Sequence, residues 1–244
     1  MKKKTTAICL CVALLAIAIV NLSLAYFIGT DSADNVFTTS NVKIELIEDQ
    51  RNDDASDLED FEQGKLIIPA VGPFDSTESV GGVDGLPTAS NYVDKIIRVN
   101  NLSMDSYVRV YIAIPTELDN KGVLHFTQSA ESSAVGQWGT ETLVKKNVEI
   151  DGILYNVYYR TYNSVLTKDE MTATPAYLGF YMDENVDFNG TSYTINGNTI
   201  DFDFADGVKI PVFAVGVQSA GFDNADSAVN AAFGSSFVPW TDLI

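Results

Sequence analysis

The chain has 244 residues, of which 46% are hydrophobic, 20% charged and 11% aromatic, the balance of a folded globular protein rather than a fibrous or disordered one. With 15 Lys plus Arg against 33 Asp plus Glu, the net charge of −18 disfavours nucleic acid backbones and anionic lipid surfaces and argues against a DNA- or RNA-binding role. One histidine and two cysteines leave little material for a histidine-rich metal site, a cysteine-based zinc site or a serine triad.

Lys2, Lys3 and Lys4 precede an apolar run over residues 7–20, shorter than the roughly 20 residues a membrane-spanning helix needs and matched to a secretory leader. Ser23, Leu24 and Ala25 supply the small-residue pattern of a cleavage site, which places the cut between Ala25 and Tyr26. Residues 1–25 then form a signal peptide, and membrane contact is confined to that peptide before cleavage; the alternative is an uncleaved N-terminal anchor. Cys9 and Cys11 fall inside the discarded run, so the secreted chain carries no cysteine and depends on its core for stability. Loss of the three lysines deepens the charge from −18 to −21, which favours solubility outside the cell.

The remainder reads as short strands and turns. Val42, Ile44 and Leu46 alternate with Lys43 and Glu45, the period of a strand with one buried face. Residues 48–62 hold eight acids against Arg51 and read as a solvated loop. A short strand is expected over 66–70, then a long Gly- and Pro-containing insertion over 71–90. Strands follow over 92–99 and 107–114; in the second, Val108, Val110, Ile112 and Ile114 form one apolar face that Pro115 ends. Asp151-Gly152 separates β-prone runs over 148–150 and 154–162, a strong hairpin signal repeated at Asn189-Gly190 and Asn196-Gly197. Further strands are expected over 193–195, 199–204 and 208–217, with Phe202 and Phe204 inward if Asp201 and Asp203 face water.

Residues 224–233 differ. Ala225, Ala228, Val229, Ala232 and Phe233 recur at helical spacing, giving one short amphipathic helix with Asp223 or Asn224 as its N-cap. Many short strands with turn signals and one helix near the C-terminus predict an all-β fold, a β-sandwich with long loop insertions.

Tyr26 and Phe27 just after the expected cut, then Asp31, Asn35-x-Phe37, Thr38, Thr39 and Val42-x-Ile44-x-Leu46, resemble the signal-exit region of the TasA and camelysin family of secreted Gram-positive proteins. The run from Val212 through Gln218 to Phe222, followed by the alanine-rich helix, is similar to that family's closing strand and turn. The resemblance implies a jelly-roll sandwich, release by a dedicated signal peptidase, and self-assembly into extracellular filaments of a biofilm matrix. It further implies that the N-terminal strand of one subunit completes the sheet of the next. On that basis residues 26–47 form the mature N-terminal segment and candidate donor strand, with Phe27, Phe37, Val42, Ile44 and Leu46 as assembly residues. Residues 48–244 form the sandwich domain. Other matrix proteins and surface glycans are the further expected partners; the alternative role is a cell-surface adhesin or ligand-binding module using Tyr155, Tyr158, Tyr159 and Tyr162 or the Gly-containing insertion.

Camelysin relatives carry a surface metalloprotease label, but the sequence has only His125 and no His-Glu-x-x-His, so no familiar zinc protease site is present. Ser219 lacks the glycine spacing of a nucleophile elbow. Asp183, Asn185, Asp187 and Asn189 alternate as calcium ligands do, yet Phe188 stands where an EF-hand loop requires glycine. No catalytic residue, metal ligand or cofactor is assigned.

Overall fold

The computed structural model of the chain describes residues 42–52, 57–62, 93–128, 133–204 and 207–243. The leader with Ala25 and Tyr26, the assembly residues Phe27 and Phe37, the strand expected over 66–70 and the insertion over 71–90 lie outside the described residues.

The described strands are β1 (Ile44–Arg51), β2 (Leu58–Asp60), β3 (Val93–Asn101), β4 (Ser106–Pro115), β5 (Leu124–Gln128), β6 (Thr142–Ile150), β7 (Ile153–Thr161), β8 (Tyr177–Met182), β9 (Val186–Phe188), β10 (Tyr193–Ile195), β11 (Asn198–Thr199) and β12 (Val212–Gln218). The helices are α1 (Thr116–Asn120), α2 (Ala225–Phe233) and α3 (Pro239–Asp242). A five-stranded sheet in the order β2-β1-β3-β8-β5 faces a four-stranded sheet in the order β12-β4-β7-β6, and β11-β10-β9 form a small third sheet. Every strand pairing is antiparallel. The expected all-β sandwich is thus the observed architecture.

β4 explains the layering. Val108, Val110, Ile112 and Ile114 belong to the core between the two sheets, while Tyr107, Tyr111 and Ala113, at the alternate positions, pack into a second core. That second core is closed by Ala225, Ala228 and Val229 of α2 and by Phe237 and Val238 ahead of α3. A strand covered on both faces has no polar side, which is why all ten residues of β4 are buried.

The hairpin signals translate directly. Asp151 and Gly152 have φ of 50° and 81°, and Asn196 and Gly197 have φ of 50° and 78°. These left-handed pairs match the two-residue turns that follow the twist of the strands they join. The expected strand over 199–204 shortens to Asn198–Thr199, but Phe202 and Phe204 still turn onto the core, their rings 5.0 Å apart. Asn224 caps α2 by accepting from the Ser227 amide, as the sequence predicts, although Ala232 is exposed.

Three expectations need correction. Residues 48–62 are not one solvated loop, because β1 continues to Arg51 and β2 pairs back onto it in the register Asp49↔Asp60. The helix near the C-terminus has two companions, α1 after Pro115 and α3 behind Pro239, each a single turn and too short to leave a periodic signal. β1 also runs unbroken across position 48, so Val42 to Leu46 pack with the sandwich rather than ahead of it.

Candidate assembly site

The expected donor residues on the described chain are seated in its own core. Val42, Ile44 and Leu46 are 1%, 0% and 3% exposed, and β1 pairs with β3 from Ile44↔Asn101 to Asp49↔Ile96. Their burial contributes about 5–9 kcal/mol on the usual scale for aliphatic side chains. Across the sandwich they meet Gly216 of β12, where an added Cβ would lie 2.8 Å from Ile44 Cγ2 and 2.9 Å from Val42 Cγ1.

Charge pairs fix the distal half of the strand. Arg51 holds Asp94 with Nη2 2.7 Å from Oδ1 and Nε 2.8 Å from Oδ2, and the Arg51 amide donates to the same carboxylate at 2.9 Å. Lys95 pairs with Glu48 and lies 4.5 Å over the Phe61 ring, and Arg98 approaches Asp49 at 3.6 Å. The acids that made this stretch look solvated therefore meet bases of β3 some 40 to 50 positions away. Burial pushes the Asp49 carboxyl above its ordinary range; Arg98 opposes this and Asp60 adds to it.

The backbone of β1 has two sides. The Leu102 amide donates to Lys43 O at 2.9 Å, and the Phe61 amide donates to Glu48 O at 3.0 Å. Alternation along an antiparallel strand then turns the amides and carbonyls of residues 43, 45, 47 and 49 toward β3 and those of 44, 46 and 48 away from it. On that far side β2 and the adjoining Phe61 cover only Glu48 to Arg51. The proximal half of β1 thus presents a sheet edge among the described residues, the geometry that accepts an added strand.

The other candidates are engaged in the fold. Tyr155 and Tyr162 are buried, Tyr158 donates to Asp119 Oδ2 at 2.8 Å, and the Tyr159 ring lies 4.0 Å from the Arg109 guanidinium carbon. His125 Nε2 sits 2.7 Å from Asp183 Oδ2 with its ring stacked on Tyr181. Burial pushes Asp183 up, but the Asn185 amide and His125 outweigh it and hold the carboxyl below its ordinary range. Asp183 also accepts from the Asn185 side chain, and Asn189 accepts from the Thr191 and Ser192 amides, so these two residues serve turns. Ser219 Oγ donates to Asp105 O at 3.2 Å. Among the described residues no group of three or more His, Cys, Asp or Glu is placed to hold a metal ion, and no helix is long and apolar enough to cross a membrane.

Two features escaped the sequence reading. Arg109, 1% exposed, donates to Thr161 Oγ1 at 2.9 Å, Asn230 Oδ1 at 3.2 Å and Asp226 Oδ1 at 2.6 Å, which ties α2 to the sheet. The signal was a lone charge inside the Tyr-Val-Arg-Val-Tyr run. Beside it, a cleft of about 280 Å³ opens between the start of α2 and the segment after β7, lined by Tyr107, Thr161, Asn163, Val165, Asp223 and Asp226 among others. No family model matches the chain, and no curated protein or solved structure matches it.

Proposed function

We propose that the chain is a secreted structural subunit that assembles into extracellular filaments by exchanging its N-terminal strand. The observation that supports this reading best is the place of β1: it is the first described strand, Ile44 and Leu46 on it and Val42 just ahead of it are buried anchors, and among the described residues half of its far edge is uncovered. β1 leaves its sheet by breaking its ladders with β3 and β2. Inserted into a second copy it regains the same core contacts, so exchange conserves most of its energy. Thirty-two residues, 61–92, separate β2 from β3 and at roughly 3.3 Å each give ample reach to a neighbour. Each copy that donates also vacates an acceptor, so one-way exchange runs on into a filament where the rotation between copies does not close. The leader-like start and the terminal motifs support secretion and matrix assembly, with jelly-roll connectivity as the finer form of the sandwich.

The seating of Val42 and Ile44 decides how this is tested. Aspartates there would enter the subunit's own core and unfold it, so they cannot separate folding from assembly. A reversible lock can. Glu45 and Asn100 are register partners on the face away from the core, and Asn100 Nδ2 already donates to Glu45 Oε2 at 3.3 Å. Opposed residues of this type stand about 5.5 Å apart at Cα, within disulfide range. The Glu45→Cys, Asn100→Cys variant of the chain beginning at Tyr26 should stay folded and filament-free when oxidised, and form filaments by electron microscopy once reduced. Equal filaments from the oxidised form would overturn strand exchange.

The cleft beside Arg109 favours a second reading, a surface module that binds a polar ligand such as a glycan. Glycan-array binding abolished by Asp223→Ala would support it, and an array that stays silent for the unaltered protein would remove it.

A further inference from the structure

The pole of the sandwich where the chain enters β1 carries an apolar surface. Of the eight large hydrophobic side chains exposed among the described residues, four lie there: Leu102 at 42%, Met104 at 37%, Val165 at 36% and Met171 at 46%. They stand on two segments drawn together by one buried side chain. Asn101, 0% exposed, donates from Nδ2 to both Met104 O and Leu166 O at 2.7 Å, and its Oδ1 accepts from the Ser103 amide. Its backbone accepts from the Asp169 amide at 2.7 Å and donates to Glu170 O at 2.9 Å, while Met171 bridges Asn100. The β3–β4 turn and residues 165–171 are thereby clamped into one rigid surface. Single exposed aliphatics need no explanation, but four on a surface built this carefully do.

The place where the chain meets this surface identifies the occupant. Lys43 O accepts from the Leu102 amide at 2.9 Å, and the Lys43 amide donates to Ser103 Oγ at 2.6 Å. The described chain therefore enters the fold, at Val42 and Lys43, against the β3–β4 turn. The seven residues that precede Val42 are Asn35, Val36, Phe37, Thr38, Thr39, Ser40 and Asn41, uncharged and with two apolar side chains. Phe37 is five positions from Val42, a reach of roughly 17 Å when extended. The charges around the pole, Lys43 and Lys168 against Asp105, Asp169 and Glu170, give an anionic lipid surface no net attraction, whereas a neutral segment meets no opposing charge.

We propose that Leu102, Met104, Val165 and Met171 form the docking surface for the chain's own segment around Val36 and Phe37, folded back in cis on the subunit that carries it. This reading stands independently of filament formation. It gives Phe37 a role in the single subunit, that of covering the pole beside the strand that is exchanged.

The full chain with Cys9→Ser and Cys11→Ser has no thiol of its own, so introduced pairs report proximity. Phe37→Cys is combined with Met104→Cys and, as a control, with Leu154→Cys, since Leu154 is 49% exposed and is the second residue of β7, at the opposite pole. Both are oxidised as an equal mixture of 14N- and 15N-labelled protein, at a concentration where light scattering shows monomer, and the disulfide peptides are read by mass spectrometry. Docking in cis gives same-label disulfides for the Met104 pair, several-fold above the Leu154 control. Mixed-label disulfides would assign the surface to a second copy and overturn the proposal, as would equal yields at the two positions. Urea midpoints matching the parent chain establish that the reduced variants remain folded, and Phe37→Cys with Leu102→Cys replaces the Met104 pair should that variant fall short.

Discussion

Gly216 and Ile44 face each other across the sandwich so closely that no side chain larger than hydrogen fits between them: a Cβ at Gly216 would come within 2.8 Å of Ile44 Cγ2. Gly216 sits on the inward face of β12 and pairs with Val108, so the strand cannot slide away without breaking its ladder with β4. The seat of β1 is therefore shaped by an absence, and its fit depends on both sheets.

That contact predicts the outcome of Gly216→Ala. The added methyl overpacks the seat, and overpacking of this kind costs about 1–3 kcal/mol. Thermal or urea unfolding should show the loss. Val42→Ala made in the same chain removes the atom 2.9 Å from the new methyl and should recover part of it, so that the double variant is more stable than the sum of the single losses. Strict additivity would mean that β1 does not press on Gly216.

Asp49 predicts how acidity acts on the same strand. Burial raises its carboxyl above the ordinary range, with Arg98 opposing and Asp60 adding to the rise. The folded chain then holds a proton there that the unfolded chain has already released, so this group's contribution to stability falls as pH rises through the folded value. Above that value its cost is fully present. Asp49→Asn should raise the urea midpoint at pH 7 and flatten the pH dependence in mild acid. A lower midpoint at neutral pH would show instead that the Arg98 pairing outweighs desolvation.

Arg109 makes a separate prediction for the opposite face. Its guanidinium is buried, while its partner Asp226 is 63% exposed. Asp226→Ala leaves the guanidinium with Thr161, Asn230 and the Tyr159 ring, and water reaches the vacated side, so the loss should be about 1–2 kcal/mol rather than the larger penalty of a sealed pair. Arg109→Ala also empties volume beneath α2 and should cost more, about 3 kcal/mol. Amide hydrogen exchange across α2 checks the assignment: protection should fall there first, with β7 and β8 less affected.

How far the fold could be read from the sequence depended on where the informative partners lie. The Asp151-Gly152 and Asn196-Gly197 turns, the inward face of Val42, Ile44 and Leu46, and the Asn224 cap are written in neighbouring residues, and each emerged as read. Residues 48–62 were misread because Glu48 and Asp49 find their bases on β3, and a local charge count sees only Arg51. Arg109 has its carboxylate 117 positions away, beyond any local pattern. α1 and α3 leave no periodicity because one turn contains none. The inward face of the expected donor strand was legible, but the sheet receiving it was not: alternation predicts which side chains are buried and is silent on whose core buries them.

Tyrosine ionisation offers a last prediction, one that reports on the sandwich as a whole. Burial raises Tyr177, whose hydroxyl donates to Glu141 Oε2 at 2.6 Å; the Glu141 carboxylate raises it further, and Arg160 opposes only in part. Burial likewise raises Tyr158, followed by its hydrogen bond to Asp119. Both phenols therefore stay protonated in the folded chain well above the value near 10 at which an unfolded tyrosine ionises. Their contribution to stability is fully present below that value and is lost as pH climbs from it toward the raised folded values. A spectrophotometric titration should show fewer than the chain's 11 tyrosines ionising in the ordinary range, with the rest appearing only on a cooperative alkaline transition. Glu141→Gln should lower the Tyr177 value by removing the facing charge, while Tyr177→Phe should delete one late phenol from the count. If all the tyrosines titrate together near their ordinary value while circular dichroism remains native, the Glu141 and Asp119 pairings do not persist in solution.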